Sequence, residues 1–153
     1  MSQPKLARII NTVAARLADI DQASGYYTDI GTNVRRDRRE PGSDELPACL
    51  VYLGERLVET TNGARARCEM TITVMAYDDC LGDAEARGIE LLADIQRAVE
   101  LPDVTLDGLI RDQHGLAFVS DEIFMPEIGT TAVGARVTYS APHIRNLGDP
   151  EIS

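Results

Sequence analysis

The sequence predicts an α+β fold, in which a mostly antiparallel sheet with a long β-hairpin carries two helices packed on one face. Three observations support this class. Apolar residues recur at helical spacing in two separate segments, two strand-like runs flank Asn62-Gly63, and no alternating βαβ series appears along the chain. The chain of 153 residues is long enough for one ordinary domain.

A first helix is predicted from Pro4 to Asp21. Its apolar residues gather on one face at spacings of three and four: Leu6, Ile9, Ile10, Val13, Leu17 and Ile20. Pro4 suits a first helical turn, where its missing N–H leaves no bond unmade, and Ser24-Gly25 provides a stop signal.

Two short segments follow this helix. Residues Tyr26 to Ile30 have the composition of a strand. Residues Arg35 to Asp44 include no aliphatic or aromatic side chain other than proline, and they predict an exposed loop.

The long hairpin is predicted between Leu46 and Tyr77, on either side of Asn62-Gly63. Asn-Gly is a strong signal for a type I′ turn, which needs positive φ at both central residues. Such a turn makes Thr61 and Ala64 the last pair. The register that follows places these residues opposite each other: Cys49 and Ala76, Val51 and Val74, Tyr52 and Thr73, Leu53 and Ile72, Arg56 and Glu69, and Leu57 and Cys68.

A second helix is predicted from Asp83 to Glu100, and a turn or short loop from Leu106 to Ile110. The apolar stripe of the helix is Ala84, Gly88, Leu91, Leu92, Ile95 and Val99. Two strands follow, from Leu116 to Phe124 and from Thr131 to Ser140, and Pro142 is expected to end the regular structure. The organisation is therefore one domain over residues 1–142 and a flexible tail over 143–153.

The acidic residues are concentrated in the second half of the chain. Of 15 basic and 25 acidic residues, 1–34 hold three of each, 35–67 hold seven and six, and 68–153 hold five and sixteen. An acidic chain repels phosphate backbones, which disfavours broad nucleic-acid binding. No apolar run approaches the roughly 18 residues that cross a bilayer, so no membrane partner is expected.

The cysteines and histidines point to no catalytic or metal site. Three cysteines without a CxxC pair favour reduced thiols, and Cys49 and Cys68 are expected to be small buried side chains. His114 and His143 are expected in exposed loops, although a Cys–His pair assembled by the fold stays an alternative.

The remaining motifs favour a protein that is not an enzyme. The acidic pairs Asp78-Asp79 and Asp121-Glu122 are more simply solvated than metal-ligating. Glycine-rich phosphate loops, GxSxG and HExxH are all absent. No cofactor and no metal are expected.

Four arginines form a local exception to the acidic excess: Arg35, Arg36, Arg38 and Arg39. Three interpretations stay open, namely a solvated loop, a contact with an acidic face of a neighbouring copy, and a contact with nucleic acid. Unlike charges on two surfaces of one chain favour head-to-tail contacts, which close into a ring when the rotation allows.

The order of these segments resembles bacteriophage tail terminator (tail completion, or minor tail) proteins. The resemblance rests on ARLADI and YYTDIG, on PACLVY and ITVMAY in paired strands, on AEARGIELLADIQRAV and TLDGL, and on a closing GARVTYSAP. It covers Leu6 to Pro142, which is most of the chain.

The resemblance implies a structural virion protein. Members of that family form a homo-oligomeric, hexameric ring that caps the tail tube, ends its polymerisation and offers a docking surface for the head. The implied partners are further copies of the chain, the tail tube protein and a head-side connector protein, with DNA passing through the lumen without specific binding. The implied location is the tail–neck region of the virion, and the host cytoplasm during assembly.

Two alternatives remain beside this interpretation, a head–tail joining (neck) protein and a small cytosolic α+β enzyme or ligand-binding domain. Polar excursions from a compact domain are the natural contact surfaces. The candidate contact residues are therefore the four loop arginines Arg35, Arg36, Arg38 and Arg39, and Asn62, Gly63 and Arg65 at the hairpin tip.

Overall fold

The computed structural model describes residues 3–110 and 115–148. Its helices and strands are, in chain order, α1 (Lys5–Leu17), β1 (Val34–Arg35), β2 (Ala48–Asn62), β3 (Arg65–Asp79), α2 (Ala84–Glu100), β4 (Ala117–Phe124) and β5 (Ala132–Asn146). The sheet order is β1-β2-β3-β5-β4, with β1 parallel to β2 and every other pair antiparallel. The predicted α+β class and the mostly antiparallel sheet are confirmed.

Both helices lie on the same face of the sheet. Helix α1 contacts β2 and α2, while α2 contacts β3, β4 and β5. The core between them is aliphatic and is built from α1 (Ile9, Ile10, Val13, Leu17), α2 (Leu91, Ile95, Ala98, Val99) and the facing side chains of the sheet (among them Val51, Ile72, Val74, Val137 and Tyr139). Within the described ranges, neither helix is long and apolar enough to cross a membrane.

The helix boundaries follow from local hydrogen bonding. Helix α1 ends at Leu17 and not at Asp21, because the N–H groups of Asp19 and Ile20 bond three residues back and tighten the last turn. Helix α2 begins as predicted, since the Asp83 side chain caps it by accepting from the Ala86 N–H at 3.0 Å.

The predicted strand from Tyr26 to Ile30 is wrong. The N–H groups of Tyr27 and Thr28 donate to the carboxylate of Asp94 on α2, at 3.0 and 2.8 Å, and not to a neighbouring strand. Residues Ile30–Thr32 then form a single 3₁₀ turn. The backbone N–H groups of this segment therefore take a buried carboxylate on α2 as their acceptor in place of a strand carbonyl.

The hairpin is confirmed, but its register changes along its length. Near the core the predicted pairs Cys49 with Ala76, Val51 with Val74, Tyr52 with Thr73 and Leu53 with Ile72 are present. Two irregularities then each add one residue to β2, between Leu53 and Arg56 and between Val58 and Thr60.

The extra residues overturn the distal pairs and move the turn. Arg56 faces Met70 and not Glu69, and Leu57 faces Glu69 and not Cys68. The turn residues are Gly63 and Ala64. Only Gly63 has positive φ, at 61°, which is the pattern of a type II′ turn and not of the predicted type I′ turn.

Strand β5 continues past its predicted end. Pro142 lies inside it, opposite Glu69 of β3, and the strand runs on to Asn146. The prediction that Pro142 ends the regular structure is wrong because the last β4 partner is Ser140. Beyond it β5 is an edge strand over the described residues, and an edge accommodates proline. Of the predicted flexible tail, 143–146 belong to this strand and 149–153 lie outside the described residues.

Candidate assembly surfaces

The loop arginines are held by carboxylates of their own loop. Arg35, in β1, donates to Glu45 at 2.5 Å and to Asp37 at 2.8 Å, and Arg39 donates to both Glu45 oxygens at 3.2 Å. Hydrogen bonding to Arg35 lowers the pKa of Asp37, while the Gly42 N–H and Arg39 lower the pKa of Glu45. These ion pairs fold the loop back on itself.

The other two arginines fasten the loop to the domain. Arg36 donates to the Asn11 side chain on α1 at 2.7 Å. Arg38 donates to the Leu53 carbonyl at 2.7 Å and stacks over the Tyr52 ring, 4.6 Å from its centre. Residues 35–45 hold four arginines and four carboxylates, so the loop carries no net charge. The arginines remain candidate contacts, but as members of a neutral, ion-paired loop.

The hairpin tip brings together the other candidates. Asn62 and Arg65 form the last pair of the hairpin, and Gly63 lies in the turn with open space where a Cβ would stand. All three are exposed. Nearby, Leu57 and Val58 leave 56% and 59% of their surfaces in solvent, an unusual pair of apolar residues on a sheet edge.

The helix-free face of the sheet carries a cleft of about 630 Å³. It lies between the loop before β2, which contributes Glu40, and the loop after β4, which contributes Met125. Its floor includes Met75 and Tyr77, and burial is the first cause that raises the pKa of Tyr77. The cleft is open to solvent, and its lining combines apolar side chains with the carboxylates of Glu40, Asp79 and Glu127, so it is a candidate contact surface.

The sequence prediction overlooked Asp94, the best-satisfied carboxylate in the structure's core. It is 1% exposed, and it accepts from the Thr28 hydroxyl at 2.7 Å in addition to the two N–H groups. Its position within the buried α2 stripe, between Leu91 and Ile95, is the signal that could have revealed it. The contact joins α2 to the segment after α1, so its role is architectural.

The buried thiols agree with the prediction. Cys49 and Cys68 are fully buried, and burial raises the pKa of Cys49 to about 12, which keeps it protonated and unreactive.

The prediction of an exposed loop for His143 is wrong, because this residue lies in β5 opposite Cys68 and is 3% exposed. Burial lowers its pKa, and its Nδ1 lies 3.0 Å from the Ala141 carbonyl. This is the Cys–His juxtaposition left open by the sequence, but both groups are closed to solvent. His114 lies outside the described residues.

The acidic pairs engage neighbouring side chains. Asp78 lies 3.7 Å from Arg87, Asp121 accepts from Gln96 at 2.9 Å, and Glu122 bonds to Arg136 at 2.5 Å. Within residues 3–110 and 115–148, no group of three or more His, Cys, Asp or Glu side chains is placed to hold a metal ion.

The edges of the sheet are open on both sides. Strand β1 covers only Cys49 and Leu50 of β2, and no described strand lies outside β4. Along β4, Phe118 and Val119 are 49% and 57% exposed. Unpaired edge strands with apolar side chains are templates for association with another chain.

Comparison with known proteins gives a likeness of fold. No protein family matches the chain, and no curated protein matches its sequence. Among solved structures, it is similar to a chain of the "Virion of native gene transfer agent (GTA) particle", with 15% identity and a TM-score of 0.50. The similarity covers 92% of this chain and 98% of that chain. At this identity it is a likeness of fold, and it extends over nearly the whole of both chains.

Proposed function

We propose that the chain is a structural protein of a phage-like particle, and that it forms a ring that caps the tail tube, ends tube polymerisation and offers the head-docking surface. The observation that carries the proposal is the fold shared along almost the full length of both chains with a component of a gene transfer agent virion. The finer assignment to the tail terminator rests on the resemblance in segment order and pattern.

The distribution of polar chemistry supports a structural role. Asp94 holds a loop on a helix, Cys49 is a buried protonated thiol, and His143 is closed to solvent. These groups serve packing and hydrogen bonding within the domain. The open features are the two sheet edges, the hairpin tip and the cleft, all of which suit contacts with further protein chains.

The charge of the chain suits a ring around a DNA channel. A net charge of −10 gives no gain from counterion release on contact with phosphates. A lumen built from such subunits lets DNA pass without retaining it. In this proposal the tail tube protein and a head-side connector protein bind the two faces of the ring.

Removal of the gene from a particle-producing strain tests the proposal by electron microscopy. Loss of a tail terminator is expected to give overlong tails without attached heads. Tails of normal length that stay unattached would instead assign the chain to head–tail joining. Particles of normal length and infectivity would refute both virion roles and favour a cytosolic enzyme or ligand-binding domain.

A complementary test adds the purified protein to growing tail tubes. Capping is expected to stop elongation and to leave an extra ring at one tube end. Hairpin-tip variants such as Arg65→Glu are expected to separate folding from capping, because Arg65 is exposed and lies at the tip. Tubes that elongate at an unchanged rate with the wild-type protein would contradict the proposed activity.

A further inference from the structure

The floor of the cleft on the helix-free face is a row of side chains across three strands. Tyr77 of β3 pairs with Gly134 of β5, which pairs in turn with Phe124 of β4. A Cβ built on Gly134 would lie 3.3 Å from the Tyr77 ring and 3.4 Å from the Cβ of Phe124, so glycine keeps a gap between the two aromatic side chains. Met75 lines the same floor, and all three side chains are partly exposed. The floor is therefore apolar, and its flexible thioether can adapt to an incoming side chain.

The rim of this cleft is acidic. It carries the exposed carboxylates of Glu40, Asp79 and Glu127, and no lysine or arginine lines the cleft within residues 3–110 and 115–148. No ion pair joins any of the three to a described cation, and Asp79 only accepts a hydrogen bond from the Thr131 hydroxyl. After burial, the charge of Glu40 is the next cause that raises the pKa of Tyr77, so this carboxylate acts on the floor. The acidic rim therefore faces the cleft without an internal counterion.

The arginines beside the cleft are already engaged with other groups. Arg136 lies opposite Met75 in the sheet, but its guanidinium binds Glu122 at 2.5 Å and stacks over the Phe124 ring, 5.3 Å from its centre. The four arginines of the loop before β2 are held within that loop and by the domain, as described above. The negative charge of the rim is therefore available to a cation from another molecule.

Apolar side chains at the cleft favour a partner that is larger than a free cation. Met125 lines the cleft and is 55% exposed, and Ile128, in the same loop between two lining residues, is fully exposed. A small cation in the cleft would leave these side chains in water, whereas a peptide segment would cover them. The cleft volume of about 630 Å³ suits such a segment, and the acidic rim repels nucleic acid.

We propose that this cleft is the docking site for a segment of a different protein, in which arginine or lysine stands next to apolar side chains. The cationic groups pair with the acidic rim, and one of them can stack on the Tyr77 ring. The apolar side chains of the segment cover Met125 and Ile128. The docking site itself needs no ring. Only the assignment of the segment to a protein bound on one face of the ring rests on the proposed function.

Exposed residues of the cleft allow its charge to be changed while the fold is kept. Glu40→Gln and Glu127→Gln each remove one rim charge, and Ser43→Arg supplies a cation from the chain itself. Asp44→Asn is the matched control, because Asp44 is an exposed carboxylate of the same loop that lies outside the cleft lining. All four side chains are exposed, so each variant is expected to fold, as circular dichroism would verify.

Methionine-methyl NMR of the full chain then tests the site. The probe is a capped synthetic peptide in which two leucines stand between arginines. We expect it to shift the methyl signals of Met75 and Met125, which line the cleft, and to leave that of Met70, which packs in the core, unchanged. Each glutamine variant should weaken binding about two- to fivefold, the range of an exposed ion pair, and Asp44→Asn should not. Ser43→Arg and added salt should both weaken it, as should peptides with glutamate for arginine or serine for leucine.

Other results would overturn the proposal. They are the absence of a saturable shift of Met75 and Met125 at millimolar peptide, equal binding of the arginine and glutamate peptides, and an equal effect of Asp44→Asn and Glu127→Gln. Shifts of the same two methyl signals with protein concentration alone would make a second copy the occupant. The gene-removal phenotype is independent of these measurements. Normal tails together with the expected shifts would reject the capping role and keep the docking site, and overlong tails without the shifts would do the reverse.

Discussion

Replacing Asp94 with alanine should remove the largest single polar contribution to the stability of the domain. The carboxylate is buried and accepts three hydrogen bonds, from the Tyr27 N–H, the Thr28 N–H and the Thr28 hydroxyl, at 2.7–3.0 Å. Alanine leaves these donors without a partner. Arg97 still donates to the Gly25 carbonyl at 2.9 Å and Arg87 to the Tyr27 carbonyl at 3.4 Å, so the substitution is expected to loosen the segment from α2 locally.

The expected loss is about 4 kcal/mol of unfolding free energy. Each of the two donors of fully buried Thr28 loses a bond to a charged acceptor, at about 1.5–3 kcal/mol, or is left unsatisfied at a similar cost. The Tyr27 N–H adds less, because Tyr27 is 61% exposed and water can replace the carboxylate. Thr28→Val keeps the volume and removes one bond, so it should cost about 1 kcal/mol.

Urea denaturation followed by circular dichroism measures both variants, and hydrogen exchange at the Tyr27 and Thr28 amides reports on the contact itself. Asp94→Ala should lower the denaturation midpoint several times more than Thr28→Val and should abolish protection at both amides. In the double variant the two losses should not add, because they share one bond. A loss of unfolding free energy below about 1.5 kcal/mol for Asp94→Ala would show that the carboxylate does not hold this segment on α2.

Three further variants test the core, a buried titration and a close helix contact. Val74→Asp should cost several kcal/mol by placing a charge in the aliphatic core, whereas Thr71→Asp on the helix-free face should cost much less; equal losses in chemical denaturation would reverse the assignment of the two faces. Burial lowers the pKa of His143, so the folded chain binds fewer protons than the unfolded chain, and stability should fall as pH drops below about 6.5 towards the folded pKa. The His143→Gln variant should lose that part of the slope, and an unchanged slope would exclude His143 as its source. Gly88→Ala should destabilise the domain by about 1–3 kcal/mol through its 2.5 Å contact with β4, while Gly82→Ala, with open space around it, should be neutral or slightly stabilising in thermal unfolding.

The elements that the sequence predicted well are those whose signal is carried by their own periodicity. The α2 stripe and the alternation of Val133, Ala135 and Val137 each define one buried face, and the structure has both. The segment from Tyr26 to Ile30 was misassigned because its partner lies 66 residues away, on a helix. Strand propensity describes side chains, but it does not determine which acceptor takes the backbone hydrogen bonds.

Two further features could not be predicted from the sequence for a related reason. They are the pairing of residues in the distal hairpin and the ion pairs of the loop arginines. An Asn-Gly signal fixes a turn only if no residue is inserted in either strand, and two irregularities in β2 shifted the turn by one position. The number of arginines in the loop gives only the charge along the sequence. It does not show that Glu45 and Asp37 neutralise Arg35 in space.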